Sequence, residues 1–349
     1  MLSSLLTLVS TPDGSSGNRL DGRLTAELER SSRFGQRHRE LEGVLPTGSI
    51  TLDAAMGVGG LPRGRMVELF GPAAIGKTTL GLQAVAAVQM SGGTVAFVDA
   101  ERAFDPSYAM RLGVDTELLL LARTEDGEQA LRVVEKLAAS KAVDLIVVDS
   151  VAALLPPEER EEALGEVSPF GQSEMLASGL RRISRALQGS PACVLFLNQV
   201  RGYRGFGYSE TSAGGWAVKL HSAVRADLHG ETGSSPQKRL RLRVIKNQLA
   251  KPVQTDFEFE AGVGVVAEAE LIDRGVETHT IQSSKDGLLF QGQNLGRTRL
   301  AARARLAENS ALAAEVRTEV RLALGLTQRR PAGREERPVA IEKAAAVNG

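Results

Sequence analysis

The sequence predicts an α/β fold, with a mostly parallel, twisted sheet that is flanked by helices. Short runs of aliphatic and β-branched residues recur along the chain, and most of them end in a polar residue, at 67–70, 94–99, 145–149 and 194–199. Segments with a helical pattern fill the gaps, notably 129–140 and 174–187. Strands that alternate with helices form parallel sheets through right-handed crossovers. We therefore expect a ligand site at the carboxyl ends of the strands.

The composition is that of a neutral protein with a large aliphatic core. Hydrophobic residues make up 42% of the 349 residues, whereas aromatic residues make up only 4%. The 42 basic residues equal the 42 acidic ones, so any nucleic-acid surface must be a local patch. A single cysteine, Cys193, excludes a disulfide framework and favours a reducing, cytoplasmic setting. No run has the apolar length of a membrane span, so we expect no membrane partner.

The most informative motif is a glycine-rich loop between a predicted strand and a predicted helix. It follows the pattern GxxxxGKT and comprises Gly71, Pro72, Ala73, Ala74, Ile75, Gly76, Lys77 and Thr78, with Thr79 next in the chain. The backbone amides of such a loop and of the helix N-terminus converge on a polyphosphate. Lys77 can contact the β- and γ-phosphates, and the Thr78 hydroxyl can bind Mg²⁺. The motif predicts a nucleoside triphosphate site; the alternative is a glycine-rich turn that matches by chance.

Three polar side chains are expected at the same edge of the sheet as this loop. Asp149 ends the run 145–149 and is expected to hold the Mg²⁺ shell with Thr78, the alternative being a helix cap. Glu101 can accept a proton from the water that attacks the γ-phosphate, or it is a solvated loop acid. Gln199 can sense the γ-phosphate through a hydrogen bond that hydrolysis removes. A glutamine at a strand end also occurs without any such role.

The segment 201–215 combines five glycines with two arginines and three aromatic residues. Arginine contacts phosphates and aromatic rings stack on bases, so this loop is a candidate nucleic-acid contact. The alternative is a surface loop without such a function. Its last glycines are predicted to begin a helix suited to phosphate capture. The candidate DNA-binding residues are Arg201, Tyr203, Arg204, Phe206, Gly214, Gly215, Lys219 and Arg225.

Shifts in composition divide the chain into four predicted segments. They are an N-terminal segment at 1–42, a nucleotide-binding core with the DNA-binding loops at 43–265, a small α/β domain at 266–327 and a disordered tail at 328–349.

Local patterns add detail to three of these segments. Met1–Ser10 lacks the basic and apolar regions of a signal peptide and is expected to be frayed, whereas 21–40 is expected to be a short amphipathic helix. Residues 222–261 alternate between apolar and polar, which predicts antiparallel strands added to the sheet. The small domain is expected to end in a helix over 311–324, before Gly325.

Together these residues resemble the bacterial RecA recombinase family. The resemblance extends from about Leu45 to Leu324, most of the chain. Besides the phosphate loop, it rests on 47–53 (TGSITLD), 59–65 (GGLPRGR), 97–101 (FVDAE), 105–109 (DPSYA), 127–131 (GEQAL), 147–154 (VVDSVAAL) and 198–201 (NQVR). This combination is far more specific than the phosphate loop, which unrelated ATPases share. The fold it implies is the RecA-type core of the P-loop NTPases.

The resemblance implies ATP and Mg²⁺ as cofactors and gives roles to single residues at the nucleotide. Glu101 would be the catalytic carboxylate. Gln199 would couple the γ-phosphate to the DNA-binding loop. Asp105 and Tyr108 would contact the adenine.

It also implies a helical filament of identical subunits. Lys246 would reach the ATP of the neighbouring subunit, so that the active site forms only between protomers. Residues 162–171 would form a first DNA loop, and Arg182 would line or support the filament interior. Residues 21–40 would pack on the next subunit.

The implied function is a DNA-dependent ATPase that forms filaments on single-stranded DNA. It would pair that strand with homologous double-stranded DNA and exchange strands in repair. An SOS repressor or translesion polymerase components are further implied partners.

Two departures from the family pattern leave alternatives open. Gln248 stands where a second lysine is usual, and Met175 stands where an arginine is usual. Loss of a cation at the subunit-bridging site would slow hydrolysis. One alternative is therefore a RecA-like adaptor of a translesion mutagenesis or SOS complex with weak or no ATPase activity. Another is a RecA-like ATPase that acts on protein, against which the arginine- and aromatic-bearing loop argues.

Overall fold

The computed structural model describes residues 6–8, 43–157, 171–205, 207–230 and 237–326. The helices in these ranges are α1 (Ile50–Ala55), α2 (Lys77–Met90), α3 (Pro106–Arg111), α4 (Gly127–Ser140), α5 (Gly171–Ala186), α6 (Gly215–His221), α7 (Ala267–Glu277), α8 (Arg299–Glu308) and α9 (Ser310–Ala323). None of them is long and apolar enough to cross a membrane.

The strands in the same ranges are β1 (Leu6–Leu8), β2 (Val44–Leu45), β3 (Leu61–Pro62), β4 (Met66–Gly71), β5 (Val95–Asp99), β6 (Leu120–Arg123), β7 (Leu145–Asp149), β8 (Cys193–Gly205), β9 (Gly207–Ser212), β10 (Val224–Gly230), β11 (Gln237–Asn247), β12 (Gln254–Glu260), β13 (Gly264–Val265), β14 (Ile281–Ser284), β15 (Gly287–Phe290) and β16 (Gln293–Gly296).

The main sheet confirms the predicted α/β class. Its strand order is β1-β6-β5-β7-β8-β4-β10-β11-β12-β13. Within this order, the adjacent pairs in the stretch β6-β5-β7-β8-β4-β10 are parallel. The antiparallel strands expected within 222–261 are β11 and β12, whereas β10 is parallel to β4. The parallel strands thus bring the end of β4, and with it the phosphate loop, level with the ends of β5, β7 and the middle of β8.

Helices cover both faces of the central strands, which explains the unbroken apolar runs in the sequence. β5 is buried along its whole length, and β7 is buried except for Asp149 at its end. The helix predicted over 129–140 begins at Gly127, because the Asp126 carboxylate caps it by accepting from the Gln129 amide. The helix predicted over 174–187 is α5, with slightly shifted ends.

Cys193 lies fully buried at the start of β8, and burial raises the pKa of its thiol to about 12. Because the thiolate is the reactive form, we expect the folded protein to react with a thiol reagent such as DTNB only through unfolding. Release of thionitrobenzoate should be undetectable over minutes at pH 8 and complete after addition of guanidinium chloride. Rapid labelling of the native protein would contradict the buried position.

The expectation of a frayed Met1–Ser10 was wrong for part of the segment. Leu6–Leu8 form β1 and pair antiparallel with β6, with Leu6 opposite Ala122 and Leu8 opposite Leu120. β6 would otherwise be an edge strand with unpaired amide and carbonyl groups, and such an edge accepts any extended segment. The helix expected over 21–40 and the tail at 328–349 lie outside the described residues.

Residues beyond α7 pack around a small core of their own. A three-stranded antiparallel sheet, β14-β15-β16, lies with α7, α8 and α9. The helix predicted over 311–324 is α9, and Gly325 follows it with a φ of 68°. Ile50 of α1 belongs to the same apolar cluster. The boundary placed between 265 and 266 therefore stays a prediction.

Glu270 of α7 fixes this part of the chain to α1. Its carboxylate is buried and accepts from the Ser49 hydroxyl at 2.6 Å and from the amides of Ile50 and Thr51 at 3.2 and 3.1 Å. Desolvation raises the pKa of Glu270, and the three hydrogen bonds oppose that rise. The carboxylate thus satisfies amides at the start of α1 that have no partner within the helix.

We expect Glu270→Ala to lower the free energy of unfolding by about 2–4 kcal/mol, because it leaves buried donors without an acceptor. Guanidinium denaturation followed by circular dichroism measures the change. Glu277→Ala on the same helix is the control, since Glu277 is exposed and pairs with Arg274 in its own helix. That variant should shift stability by less than about 0.5 kcal/mol. If both variants lowered the free energy of unfolding equally, the buried hydrogen bonds of Glu270 would not contribute specifically to stability.

Candidate nucleotide and nucleic-acid site

The glycine-rich loop connects β4 to α2 at the carboxyl edge of the sheet. Gly71 ends β4 against β10, where a Cβ would lie 2.3 Å from the Leu228 carbonyl oxygen. Gly76 precedes α2 with a φ of 117°, a left-handed conformation that favours glycine. No side chain caps α2 at Gly76, so the first amides of the helix remain available to an anion. Ile75 is buried in the apolar core and anchors the loop.

Lys77, Thr78 and Asp149 converge at this loop. The Lys77 ammonium donates to the carbonyl oxygens of Gly71 and Pro72, at 3.1 and 2.6 Å. Burial lowers the pKa of Lys77, while Asp149 and Glu101 oppose that shift. The Thr78 hydroxyl donates to the Asp149 carboxylate at 2.6 Å. The structure thus brings the side chains that follow β4 into contact with the residue that ends β7, and their roles toward a nucleotide stay predictions.

The Thr78–Asp149 pair fits a magnesium ion that also binds phosphate oxygens. Desolvation raises the pKa of Asp149 to about 6, and nearby Glu101 and Asp99 add to that rise while Thr78 and Lys77 oppose it. A cation at this position would favour the ionised carboxylate. Among the described residues, no group of three or more His, Cys, Asp and Glu side chains is placed to hold a metal. Magnesium sites completed by substrate phosphates need only one or two protein ligands.

Glu101 lies in the loop after β5 and is held by three residues. Its amide and that of Ala100 donate to the Asp149 carbonyl oxygen at 3.2 and 2.9 Å. The Ser150 hydroxyl donates to the Glu101 carboxylate, and the Gln199 side-chain amide donates to the same oxygen at 3.1 Å. The peptide bond between Asp149 and Ser150 is cis. Glu101 and Gln199, predicted separately from two strand ends, are therefore in direct contact.

Gln199 leads into a β-hairpin. The sequence had predicted a glycine-rich loop over 201–215 instead. β8 runs on past Gln199 to Gly205 and pairs antiparallel with β9 from Val200 opposite Ser212. The Ala213 amide donates to the Gln199 carbonyl oxygen at 3.0 Å and closes the base of the hairpin. Phe206 lies outside the described residues, as do the side chains of Arg201, Tyr203 and Arg204.

Asp105 and Tyr108 lie at the start of α3, close to the helix that follows the phosphate loop. Asp105 caps α3 by accepting from the amides of Ser107 and Tyr108. The Tyr108 hydroxyl lies 2.7 Å from the Thr79 hydroxyl and accepts from the Gly262 amide at 3.2 Å. Arg111 lies over the Tyr108 ring, 5.3 Å from its centroid. The Tyr108 ring therefore lies beside α2, close to the phosphate loop, and its contact with the adenine stays a prediction.

Gly214 and Gly215 begin α6, as predicted, and both have left-handed backbones. A Cβ at Gly214 would meet Leu176 and Val151, and a Cβ at Gly215 would meet the Ser173 hydroxyl. Close packing against α5 therefore requires glycine at both positions. Lys219 lies in the last turn of this seven-residue helix rather than in its first.

The structure corrects the DNA-binding prediction for Arg225 and gives Arg182 a partner within the chain. Arg225 is buried; its guanidinium donates to Glu68 at 2.5 Å and to the Ser212 hydroxyl at 3.1 Å. It therefore holds the hairpin base to β4 and does not offer its charge to DNA. Arg182 is paired with Glu135 of α4 at 2.5 Å. Arg182 is more than half exposed in this ion pair, and its place at the filament interior stays a prediction. Arg181, the preceding residue, lies near His221 of α6.

Lys246 and Gln248 lie toward the opposite end of β4 from the phosphate loop. The Lys246 ammonium donates to the carbonyl oxygens of Lys219 and Leu220 at the end of α6. The Gln248 amide donates to Ala223, whose own amide donates to Met66 at the start of β4. Lys246 is thus kept away from the phosphate loop of its own chain. The first DNA loop expected at 162–171 lies outside the described residues except for Gly171.

Sequence reasoning missed two groups of functional interest. Ser150 was given no role from the sequence. Its position directly after Asp149, the acid that ends β7, could have indicated that it lies at the site. The buried set of Glu68, Asn198 and Arg225 joins three strands: the Asn198 side chain donates to Glu68 and to the Ala213 carbonyl oxygen, each at 2.8 Å. No local pattern links residues so far apart in sequence.

Comparisons with known proteins identify the family of this chain. The family model of the RecA N-terminal domain matches residues 29–265. Protein RecA of Streptomyces rimosus is 43% identical over 315 residues, which cover 86% of this chain and 84% of that protein. Protein RecA of Nocardia farcinica is 41% identical over 315 residues, which cover 86% of this chain and 91% of that protein. Protein RecA of Streptomyces avermitilis is 41% identical over 338 residues, which cover 92% of this chain and 90% of that protein. The chain therefore belongs to the RecA family.

Proposed function

We propose that this chain is an ATP-dependent DNA recombinase, which forms filaments on single-stranded DNA and promotes homologous pairing and strand exchange in repair. Its likeness to RecA proteins over most of its length supports this function. ATP binding switches the filament into its DNA-binding state, and hydrolysis releases the DNA. The proposed partners are single-stranded and double-stranded DNA and further copies of the chain, in the cytoplasm.

The observation that carries the proposal is the contact between Glu101 and Gln199. One side chain is suited to accept a proton from the attacking water, and the other heads the hairpin that precedes α6. The Gln199 carbonyl oxygen also accepts from the Ala213 amide at the other end of that hairpin. A change in what Glu101 and Gln199 bind therefore acts on the base of the proposed DNA-binding segment.

The residues of the phosphate loop have distinct tasks in this proposal. Lys77 exchanges the carbonyl oxygens of Gly71 and Pro72 for phosphate oxygens, and the free amides at the start of α2 add further donors. Thr78 and Asp149 would hold Mg²⁺, which would supply positive charge beside the phosphates of the nucleotide. Glu101, oriented by Ser150, takes the proton of the water. Asp105 and Tyr108 bind the adenine.

The position of Lys246 supports an active site shared between subunits. Because its ammonium lies away from the phosphate loop of its own chain, its proposed contact with ATP must be made across a subunit boundary. Helical filaments arise when such a head-to-tail contact repeats without closing. An SOS repressor or translesion polymerase components are proposed as further partners on the resemblance alone.

A RecA-like adaptor with weak or no ATPase activity is the second candidate, and Gln248 favours it. A neutral side chain at this position removes one cation from the surface that carries Lys246. Two observations argue against the adaptor. The residues needed to bind and hydrolyse ATP are all present, namely Lys77, Thr78, Glu101, Asp149 and Gln199. In addition, Thr78 is hydrogen-bonded to Asp149, and Gln199 is hydrogen-bonded to Glu101.

ATPase rates with and without single-stranded DNA, with electron microscopy of the same mixtures, test the proposal. We expect DNA to stimulate hydrolysis and helical filaments to appear with ATP and DNA together. Lys141→Ala, at an exposed position between α4 and β7 and thus at the opposite edge of the sheet from the loop, should behave as the wild type. Absence of both stimulation and polymer would favour the adaptor instead.

A further inference from the structure

We propose that Trp216 is a stacking platform for a base of the bound single strand. This inference rests on the proposed function and names a contact residue that the family resemblance does not supply. Trp216 is the single tryptophan of the chain. Its side chain is 82% exposed in the first turn of α6. A large aromatic ring held out from a rigid helix offers stacking area at a low cost in conformational entropy.

The ring is oriented by its neighbours. Lys219 lies one turn further along α6, with its ammonium 5.4 Å from the centroid of the indole ring. A cation over one face polarises the ring and leaves the opposite face to a second planar group. Ala217 and Val218 lie between Trp216 and Lys219 in the sequence. Both are buried and fix the helix to the core. The platform is therefore built on an ordered element.

The surrounding charge favours a polyanion over an apolar protein partner. Lys219 has a pKa lowered first by desolvation and then by Arg225, a second cation close to it. Glu68, the acid that opposes this shift, is buried and paired with Arg225. This end of α6 thus gathers positive charge in a chain with a net charge of zero. Phosphates beside a stacked base supply the matching negative charge.

The platform is also linked to the nucleotide site. Gln199 contacts Glu101 through its side chain, and its carbonyl oxygen accepts from the Ala213 amide, three residues before Trp216. A nucleotide-dependent movement of Gln199 therefore acts directly on the start of α6. We expect the stacking contact to form with ATP and to weaken without it.

Intrinsic fluorescence tests the inference, because Trp216 is the single indole. The full-length chain is mixed with adenosine 5′-(3-thiotriphosphate), Mg²⁺ and a thymidine oligonucleotide, and binding is followed separately by anisotropy of a dye on the DNA. We expect bound DNA to quench the emission and to protect the indole from acrylamide. An oligonucleotide of the same length with abasic sites retains the phosphates, and at saturation it should leave the emission unchanged.

Variants give a second, independent measurement. Trp216→Ala should weaken oligonucleotide binding by about 5- to 150-fold, the loss expected for one stacked base at ~1–3 kcal/mol. Trp216→Phe should restore most of the affinity. Leu220→Ala, which removes a 71% exposed apolar side chain one turn along the same helix, should leave it near the wild-type value.

The failing outcomes are distinguishable. DNA that binds by anisotropy without any change in emission would overturn the stacking contact and leave the proposed function standing. Emission that changes equally with nucleotide alone, as the chain self-associates, would place Trp216 against another copy and also overturn it. Absence of DNA binding by the wild type would overturn both the contact and the proposed function.

Discussion

Lys77→Ala is expected to weaken ATP binding by at least about 100-fold and to abolish ATP-dependent filament growth. Lys77 is the one cation that the phosphate loop itself carries, and its ammonium lies within 3.1 Å of two loop carbonyl oxygens. The protein thus already holds the charge where phosphate oxygens would replace those carbonyls. Removal deletes charge-assisted hydrogen bonds, which contribute more than neutral ones.

The measurement is a titration with a fluorescent ATP analogue, together with light scattering for assembly on single-stranded DNA. Lys141→Ala controls for the loss of a positive charge elsewhere, since Lys141 is exposed between α4 and β7, at the opposite edge of the sheet from the phosphate loop. Because Lys77 is buried, thermal unfolding of both variants without nucleotide must be compared first. A Lys77→Ala protein that is folded and still assembles in response to ATP would contradict the assigned role.

The elements that hold this site were predictable because local chemistry dictates them. The apolar runs of β4, β5 and β7 each end at a polar residue or at the glycine loop, and parallel strands align those ends at one edge. The GxxxxGKT pattern then fixes the strand, the loop and the helix together. Asp149 beside Thr78 follows from these two facts alone, which is why that pair was predicted from sequence.

The remaining features depend on contacts between distant segments. Arg225 was assigned to DNA because it is basic and follows the glycine-rich loop, but Glu68, 157 residues away in sequence, draws it into the core. The hairpin of β8 and β9 was expected to be a loop because its segment is rich in glycine, which is uncommon within strands. The pairing of Val200–Gly205 with Gly207–Ser212 was therefore not predicted. The strand β1 was not predicted, because Leu6–Leu8 become extended by pairing with the edge strand β6, which is distant in sequence.

Glu101→Gln is expected to leave ATP binding intact and to slow hydrolysis by about 10²–10⁴-fold, the usual contribution of a general base. The substitution keeps the shape of the side chain and an oxygen that can accept from Ser150 and Gln199. It removes the negative charge that accepts a proton from water. Nucleotide affinity and single-turnover hydrolysis, measured on one preparation, separate the two properties. Glu117→Gln, at an exposed acid on another loop, should turn over ATP like the wild type.

The variant also separates chemistry from coupling, because an amide at position 101 still bonds to Gln199. A Glu101→Gln filament should therefore hold ATP and single-stranded DNA for longer than the wild type, since the bound state forms and the reset fails. Gln199→Ala should do the reverse: hydrolysis without DNA persists, and the response to DNA is lost, because the hairpin base no longer contacts the catalytic carboxylate. Normal turnover by Glu101→Gln would remove Glu101 from catalysis. Unchanged DNA stimulation in Gln199→Ala would show that the contact between the two side chains does not carry the signal.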